Sequence, residues 1–434
     1  MAATAGRGIA ALSRRLGRGS GSVIGGRAIL GLDPMALHHL SRGHDTALVS
    51  ATNGKTTTTA LLRAALATRG PVVTNLAGAN LPPGLAAALA EGPEGAPAAL
   101  EVDEAWLGRV VEATRPIIVI LLNLSRDQLD RNNEVRKLSS SWRDIFDGRT
   151  GVTVVANADD PLVVWGAGAA PDVRWVGAGQ PWTADAAGCP RCGSRIVWDA
   201  ESLPDPATTG DNATPGAPGP TTADDPNVAD VIDNPGWACS ACDLHRPRLD
   251  VAITDGVLRT ADGFRHSLQL ALPGRANRSN AAMAMTAARI FGVEPGVALE
   301  AMASTDEVVG RYRTVRSGNV EARLLLAKNP AGWLEVLDVL RPAPMPVVVA
   351  INSRVADGRD PSWLWDVPFE ALRGRMVVAS GERCADLAVR LHYAEVDHKV
   401  VADPVAAIAA AGASEVDLVG NYTSFQTVRA ALAS

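Results

Sequence analysis

Lysine is nearly missing from this 434-residue chain: it stands only at positions 55, 137, 328 and 399, and arginine supplies the rest of the 41 basic residues. That bias fits a GC-rich genome more than a function. Basic residues do not outnumber acids either. A net charge of −6 and a pI near 5.7 argue against a general nucleic-acid-binding surface. No apolar run approaches the roughly 18 to 20 residues that cross a bilayer, which excludes an integral membrane protein. Five cysteines, an odd number with no secretion signal, argue against a disulfide framework. Acids are missing altogether from residues 1 to 32, which carry five arginines separated by small residues. The stretch has no cleavable apolar segment, and Leu30-Gly-Leu-Asp-Pro34 runs on toward the first strand. Residues 1–40 therefore read as a basic N-terminal arm, either leaning on an anionic surface, a peripheral membrane contact, or simply solvated. No internal repeat is evident.

At 47% apolar content the chain can build two or three domains with real cores. Short apolar runs alternate with helical stretches, with strands expected near 45–51, 71–74, 97–102, 116–122 and 151–156. The rhythm resumes at 322–327, 346–352, 375–379, 396–401 and 415–420, with helices over 382–392 and 403–412. Both halves therefore predict α/β units with parallel, helix-covered sheets. Residues 41–310 form the first domain, interrupted by a cysteine-bearing insert at 182–248. A helix is expected near 279–291 and a hinge near Gly310-Arg311. Residues 311–434 form a C-terminal, Rossmann-like α/β domain.

Within the first domain an apolar run, Ala47-Leu-Val-Ser-Ala51, stops at Thr52-Asn-Gly-Lys-Thr56, and a helix follows from Thr57 to about Arg69. This is the layout of a phosphate-binding loop. Backbone N–H groups of Thr52, Asn53, Gly54 and Thr57 face the anion, Lys55 neutralises the outer phosphates, and the Thr56 hydroxyl holds Mg²⁺. The strict pattern wants glycine where Val49 stands, so an ordinary strand-to-helix turn is the competing reading.

The insert holds Cys189-Pro-Arg-Cys192 and Cys239-Ser-Ala-Cys242, two knuckles whose thiolates can close a tetrahedral Zn²⁺ site, a zinc ribbon. The loop between them is far longer than the usual 15 to 20 residues. Its residues 201–236 are rich in Pro, Asp, Thr, Gly and Ala, which predicts a disordered excursion that leaves the knuckles free to meet. Disulfides are the alternative, disfavoured by the odd cysteine. A closed four-thiolate site is architectural, worth on the order of 10 kcal/mol to the folding of its lobe. His245 reads as a surface histidine.

Three further stretches extend the pattern. Glu101, Asp103 and Glu104 end an apolar run at a sheet edge, where metal and nucleotide ligands sit; a helix start rich in acids is the bland account. Asn123-Leu-Ser-Arg-Asp-Gln-Leu-Asp-Arg131 follows another buried strand. Gly274-Arg-Ala-Asn-Arg-Ser-Asn280 opens a helix that leads to Arg311. In this order and spacing the chain resembles the Mur ligase family, ATP-dependent enzymes that activate a carboxylate as an acyl phosphate for attack by an amine. The resemblance implies that Thr52 to Thr57 bind ATP, that Thr56 and Glu101 serve Mg²⁺, that Asn277 and Asn280 contact adenine, and that Arg311 is the hinge arginine.

The departures matter as much. Gln128 replaces a metal-binding histidine, and Trp142-Arg143 stands where amino-acid-adding members often carry a carbamylated lysine. Leu325-Leu-Ala-Lys-Asn-Pro330 replaces the motif that serves the incoming amino acid. Those changes, with the four cysteines, Asn75 to Asn80, Ala356-Asp-Gly-Arg-Asp360 and Ser362-Trp-Leu-Trp-Asp366, are similar to one branch of the family, the synthase subunits of lipid II isoglutaminyl synthases. That branch implies amidation of the D-glutamate α-carboxylate of lipid II, in the cytoplasm at the inner face of the plasma membrane.

Ammonia for that step needs a glutaminase, with a nucleophilic cysteine and a histidine base. The spare Cys384 lies in a helical stretch and reads as a small buried core residue. A GatD-type glutaminase subunit is thus implied, with an aspartate of the synthase orienting its histidine: Asp360 first, Asp357 second. Asp357-Gly358 reads equally as a plain turn. Trp363 and Trp365 are either one core-facing side of a strand or an aromatic anchor for the partner. Two rivals stand against amidation: a ligase of polyglutamate type, which needs a carboxylate clamp not found here, and a zinc-ribbon ATPase that binds nucleic acid. The second needs a basic face, whereas residues 182–248 carry more acids than bases.

Overall fold

A computed structural model describes residues 22–75, 79–126, 134–198, 236–305 and 312–432, with Thr4 and Ile232. It divides into two compact units. The first opens with two helices, Ser22–Leu32 (α1) and Ala36–Ser41 (α2), so part of the stretch expected as an arm is packed structure that buries Ile29, Ala36 and Leu37. There follow β1 (Thr46–Ser50), α3 (Lys55–Ala67), β2 (Val73–Thr74), α4 (Pro82–Glu91), β3 (Ala98–Val102), α5 (Leu107–Thr114), β4 (Ile118–Leu121), α6 (Glu134–Phe146), β5 (Thr153–Asn157), α7 (Pro161–Ala167) and β6 (Val173–Gly177). β1 and β3 are buried at every position, as a parallel sheet covered on both faces requires.

After a small hairpin, β7 (Ile196–Trp198) with β8 (Trp237–Cys239), the chain returns through β9 (Val251–Thr254), β10 (Val257–Thr260) and β11 (Arg265–Ser267) to α8 (Arg275–Ile290) and α9 (Pro295–Ala303). The nine-stranded sheet runs β11-β10-β9-β6-β5-β4-β1-β3-β2; β10 and β11 are its antiparallel edge. One face packs on Trp142, Phe146 and Leu107. On the other lie α3 and α8, whose Ala281, Ala282, Ala284, Ala287 and Ala288 are all buried. Four consecutive threonines are a poor helix start, yet Thr57, Thr58 and Thr59 are buried, and that packing outweighs propensity in α3.

The second unit is a six-stranded sheet, β12 (Tyr312–Ser317), β13 (Val320–Leu326), β14 (Val347–Ala350), β15 (Val377–Ser380), β16 (His398–Val400) and β17 (Glu415–Gly420), in the order β12-β13-β17-β14-β15-β16. Only the β12–β13 pair is antiparallel. Val347 and Val349 face Trp333 and Phe369 while Val348 faces Leu324 and Phe425, the alternation of a strand buried on both sides. Helices α10 (Pro330–Leu337), α11 (Cys384–Tyr393), α12 (Pro404–Ala410) and α13 (Tyr422–Ala431) cover it. Asp417, fully buried in the central β17, is held by Arg323 Nε and Nη2 at 2.8 Å each and by Arg341 Nη1 at 3.0 Å, the pairing a buried carboxylate needs.

The hinge at Gly310-Arg311, the Asp127 to Arg131 signature with Gln128, and nearly all of the 201–236 excursion lie outside the described residues. Trp363 and Trp365 sit on a 3₁₀ turn, Ser362–Asp366, and not on a strand. Trp363 is core at 4% exposure and Trp365 is 54% exposed, so the two do not share one core-facing side. Cys384 is the first residue of α11 and half-buried; it is less enclosed than a core residue because its helix start faces out.

Candidate active site and cysteine cluster

At the carboxyl end of β1 the chain turns through Ala51 to Gly54 into α3. Gly54 has φ 85, and a Cβ there would approach Asn280 Oδ1 to 2.8 Å, so conformation and space both demand glycine. The helix starts at Lys55, two residues earlier than expected, which puts Lys55 and Thr56 in its first turn, at the positive end of the helix dipole. Asn123, just past β4, fixes the turn from outside. Its carbonyl accepts the Thr52 N–H at 3.0 Å, its side-chain oxygen accepts the Asn53 N–H at 2.9 Å, and its amide donates to the Asn53 carbonyl at 3.1 Å.

Lys55 is 4% exposed, and its ammonium donates to the Ala51 carbonyl and to Glu104 Oε2 at 2.9 Å. Thr56 Oγ1 donates to Glu101 Oε2 at 2.8 Å. Glu101, near the end of β3 and 2% exposed, is itself braced: Asn75 accepts its N–H at 2.8 Å and donates to its carbonyl at 2.7 Å. Thr57 is buried in the first turn of α3. Asn280 is buried beside Gly54 on α8, whereas Asn277, one turn earlier, is half-buried and donates to the Pro273 carbonyl at 2.6 Å. The structure therefore brings together Thr52 to Thr57, Glu101 and Asn280; Arg311 lies outside the described residues. A threonine hydroxyl on a carboxylate is an all-oxygen donor pair, the kind a hard cation such as Mg²⁺ takes. Arg143 is committed elsewhere: it lies 4.0 Å over the Trp165 ring and donates to the Trp165 carbonyl at 3.1 Å.

Sequence reasoning passed over Asp160. It is fully buried, accepts the Leu124 and Leu162 N–H groups at 2.9 Å each, and so anchors the residue next to Asn123. Burial pushes its carboxyl up to about 6, against the pull of those N–H groups. The signal was Asp160-Pro161, an N-cap with proline in the first helical turn.

The four cysteines come together. Cys189 Sγ lies 3.7 Å from Cys242 Sγ, Cys192 Sγ lies 3.5 Å from Cys239 Sγ, and all four sulfurs fall within 4.8 Å of one another. A disulfide needs about 2.05 Å, whereas a tetrahedron with ~2.3 Å metal–sulfur bonds has edges of roughly 3.8 Å. Each knuckle is a tight turn closed by a bridge, Gly188 to Arg195 and Ala238 to His245. Ser194 and the sulfur of Cys239 draw the Cys192 thiol down to about 6. Although the Leu244 N–H favours its thiolate, burial and the neighbouring sulfurs push Cys242 up to about 12. His245 is exposed and its ring nitrogen meets the Asp243 carbonyl, away from the sulfurs.

In the second unit the two candidate aspartates part company. Asp357 is 5% exposed and locked: its carboxylate accepts the Thr423 N–H at 2.9 Å and the Thr423 hydroxyl. Asp360 is exposed; its carboxylate accepts the Ser362 N–H at 2.9 Å, and the Ser362 side chain and N–H together hold it below the usual carboxylate range. Asn352 and Asn421 bond reciprocally, Asn421 Nδ2 to the Asn352 carbonyl at 2.7 Å and Asn352 N–H to Asn421 Oδ1 at 3.2 Å. Asn329 is fully buried and caps α10 by accepting the Gly332 N–H at 2.8 Å.

A family model described as Mur ligase middle domain matches residues 49–183, and one described as MurT ligase C-terminal matches residues 326–425. Over 402 residues the chain is 29% identical to the lipid II isoglutaminyl synthase (glutamine-hydrolyzing) subunit MurT of Streptococcus pneumoniae, covering 87% of this chain and 83% of that protein. To the subunit of the same name from Staphylococcus aureus it is 26% identical over 375 residues, covering 83% and 79%. Among solved structures, a pseudomurein peptide ligase type C from Methanothermus fervidus superposes with a TM-score of 0.64 at 17% identity, covering 89% of this chain and 78% of that one. A MurF from Acinetobacter baumannii superposes with a TM-score of 0.61 at 15% identity, covering 94% and 80%. Those two share its fold.

Proposed function

Because this chain belongs to the Mur ligase family of ATP-dependent ligases, we propose that it amidates the α-carboxylate of the D-glutamate in lipid II, using ammonia made by a GatD-type glutaminase subunit. The observation that carries the reading is the conjunction in one chain of the Lys55, Thr56, Glu101 cluster with a C-terminal domain of MurT type. The chemistry shared across the family needs the first; the second supports an ammonia-using member over one that adds an amino acid.

In this reading Thr52 to Thr57 form the phosphate-binding loop, and the C-terminal unit is the Rossmann-like domain that meets the partner. Lys55 neutralises charge on the outer phosphates and Asn280, with Asn277, borders the adenine. Thr56 and Glu101 hold Mg²⁺, which supplies charge stabilisation to the transferring phosphoryl group. An oxygen of the substrate carboxylate attacks the γ-phosphorus and ADP leaves. The ammonia lone pair then attacks the acyl carbon, phosphate leaves with the bonding pair, and the extra proton passes to solvent, leaving the amide. Asp360 is the better candidate to orient the glutaminase histidine, since an exposed carboxylate can meet another subunit and Asp357 is spent on Thr423.

The test is product mass with lipid II, ATP and ammonium chloride at alkaline pH. Loss of one dalton, abolished by Lys55→Ala, supports the reading; no mass change, or a gain matching an added amino acid, overturns it. We also infer that the four thiolates hold a structural zinc: one zinc per chain should be lost in Cys192→Ser, and a metal-free native chain would refute it.

A further inference from the structure

Helix α1 is seated by one side only. A Cβ at Gly26 would run into the Pro83 carbonyl, so the backbone of α1 lies directly on the start of α4, and Gly25, Gly26 and Ile29 form the buried arc. At about 100° per residue the opposite arc presents Val23, Arg27, Gly31 and Ile24, while Leu32, the last residue of the helix, projects beside Gly25 and is exposed at the helix end. Val23 is 41% exposed, Ile24 46% and Leu32 64%, and Met35 just beyond is 57% exposed. The one polar side chain on this arc is Arg27, which is exposed. The nearest acid, Asp33, is turned to its own neighbours, accepting the Met35 N–H at 3.0 Å and meeting the His39 ring at 2.7 Å.

We propose that this outer face of α1 docks on an anionic lipid bilayer. An apolar helix face with a single cation and no acid would also accept a protein groove, but the charge of the flanking chain favours lipid. Arg7, Arg14, Arg15 and Arg18 precede the helix and no acid occurs before residue 33, the complement of a surface of phosphate headgroups. No described helix is long and apolar enough to cross a membrane, so contact has to be made from the surface. Val23 and Ile24 enter the boundary between headgroups and acyl chains, and Arg27 pairs with phosphates at its rim. The inference rests on the proposed function in one respect: a lipid-tethered substrate gives the docking its purpose.

The experiment is flotation of the full chain with phosphatidylcholine vesicles, with and without phosphatidylglycerol. The wild type should float with the anionic vesicles and be released by salt. Val23→Asp with Ile24→Asp should lower the bound fraction roughly tenfold or more, and the milder Val23→Ser with Ile24→Ser should lower it while leaving the thermal transition in place. Equal flotation of wild type and variants, or none by the wild type, overturns the proposal. So does a concentration-dependent dimer without vesicles that the aspartates abolish, which would make the face a contact between copies. Vesicle binding without amidation of lipid II would sink the functional reading and leave this one standing.

Discussion

The carboxylates at the sheet edge of the first unit and those in the loop after β14 of the second are used in opposite ways. Glu101 and Glu104 both turn inward, onto Thr56 and Lys55, so the cluster is internally satisfied before any ligand arrives. In the second unit Asp357 is satisfied by Thr423, while Asp360, three residues on, stays outside. A small ligand can displace internal partners from a shielded edge. In the proposed reading Asp360 serves another protein, and such a carboxylate has to be left where that protein can reach it, at small cost in exposure.

The largest break in that comparison comes from Lys55→Ala. Removing the cation should lower turnover roughly 10⁴-fold whether ammonia or glutamine is supplied, read as ADP released per minute. Asp360→Asn should sharpen the contrast. Glutamine-driven amidation by the complex falls about 10³-fold while ammonia-driven amidation is kept, and Asp357→Asn gives instead a chain of lower stability. Equal losses with both nitrogen sources in Asp360→Asn would move that residue out of the partner role. The smallest effect is on pH. The Asp160 carboxyl is raised in the folded chain from 3.8 to about 6, so the folded state holds its proton more tightly than the unfolded state does. The stabilisation is complete below pH 3.8 and is lost as pH rises through about 6. Urea unfolding of wild type over that window should lose about 3 kcal/mol more than unfolding of Asp160→Asn.

Much of this was legible in residue order, for physical reasons. β4 and β14 are wholly apolar runs, and β1 and β3 largely so, because both faces of their sheets are covered. The cysteine knuckles were legible because each is a local turn. The β9 to β11 ribbon was missed: its strands are three or four residues long and partly polar. β12 was missed because Tyr312-Arg-Thr-Val-Arg-Ser317 alternates charge and β-branching at a sheet edge. The partners of Asp357 and Asn352 were invisible for a different reason. Thr423, which holds Asp357, and Asn421, which holds Asn352, lie more than sixty residues away in sequence, and only the pairing of β14 with β17 brings Ala350 beside Gly420 and the two loops together.

Trp237, fully buried between Cys239 and the main sheet, donates its indole N–H to the Ala158 carbonyl at 3.0 Å. Two residues on, Asp160 accepts the Leu124 N–H, and Leu124 follows the asparagine that clamps the loop before α3. The cysteine lobe thus acts as a buttress whose tightness can be timed at a distance. In deuterated solvent the Leu124 and Leu162 amides should exchange more slowly when the four thiolates are held together by metal than after a chelator has removed it.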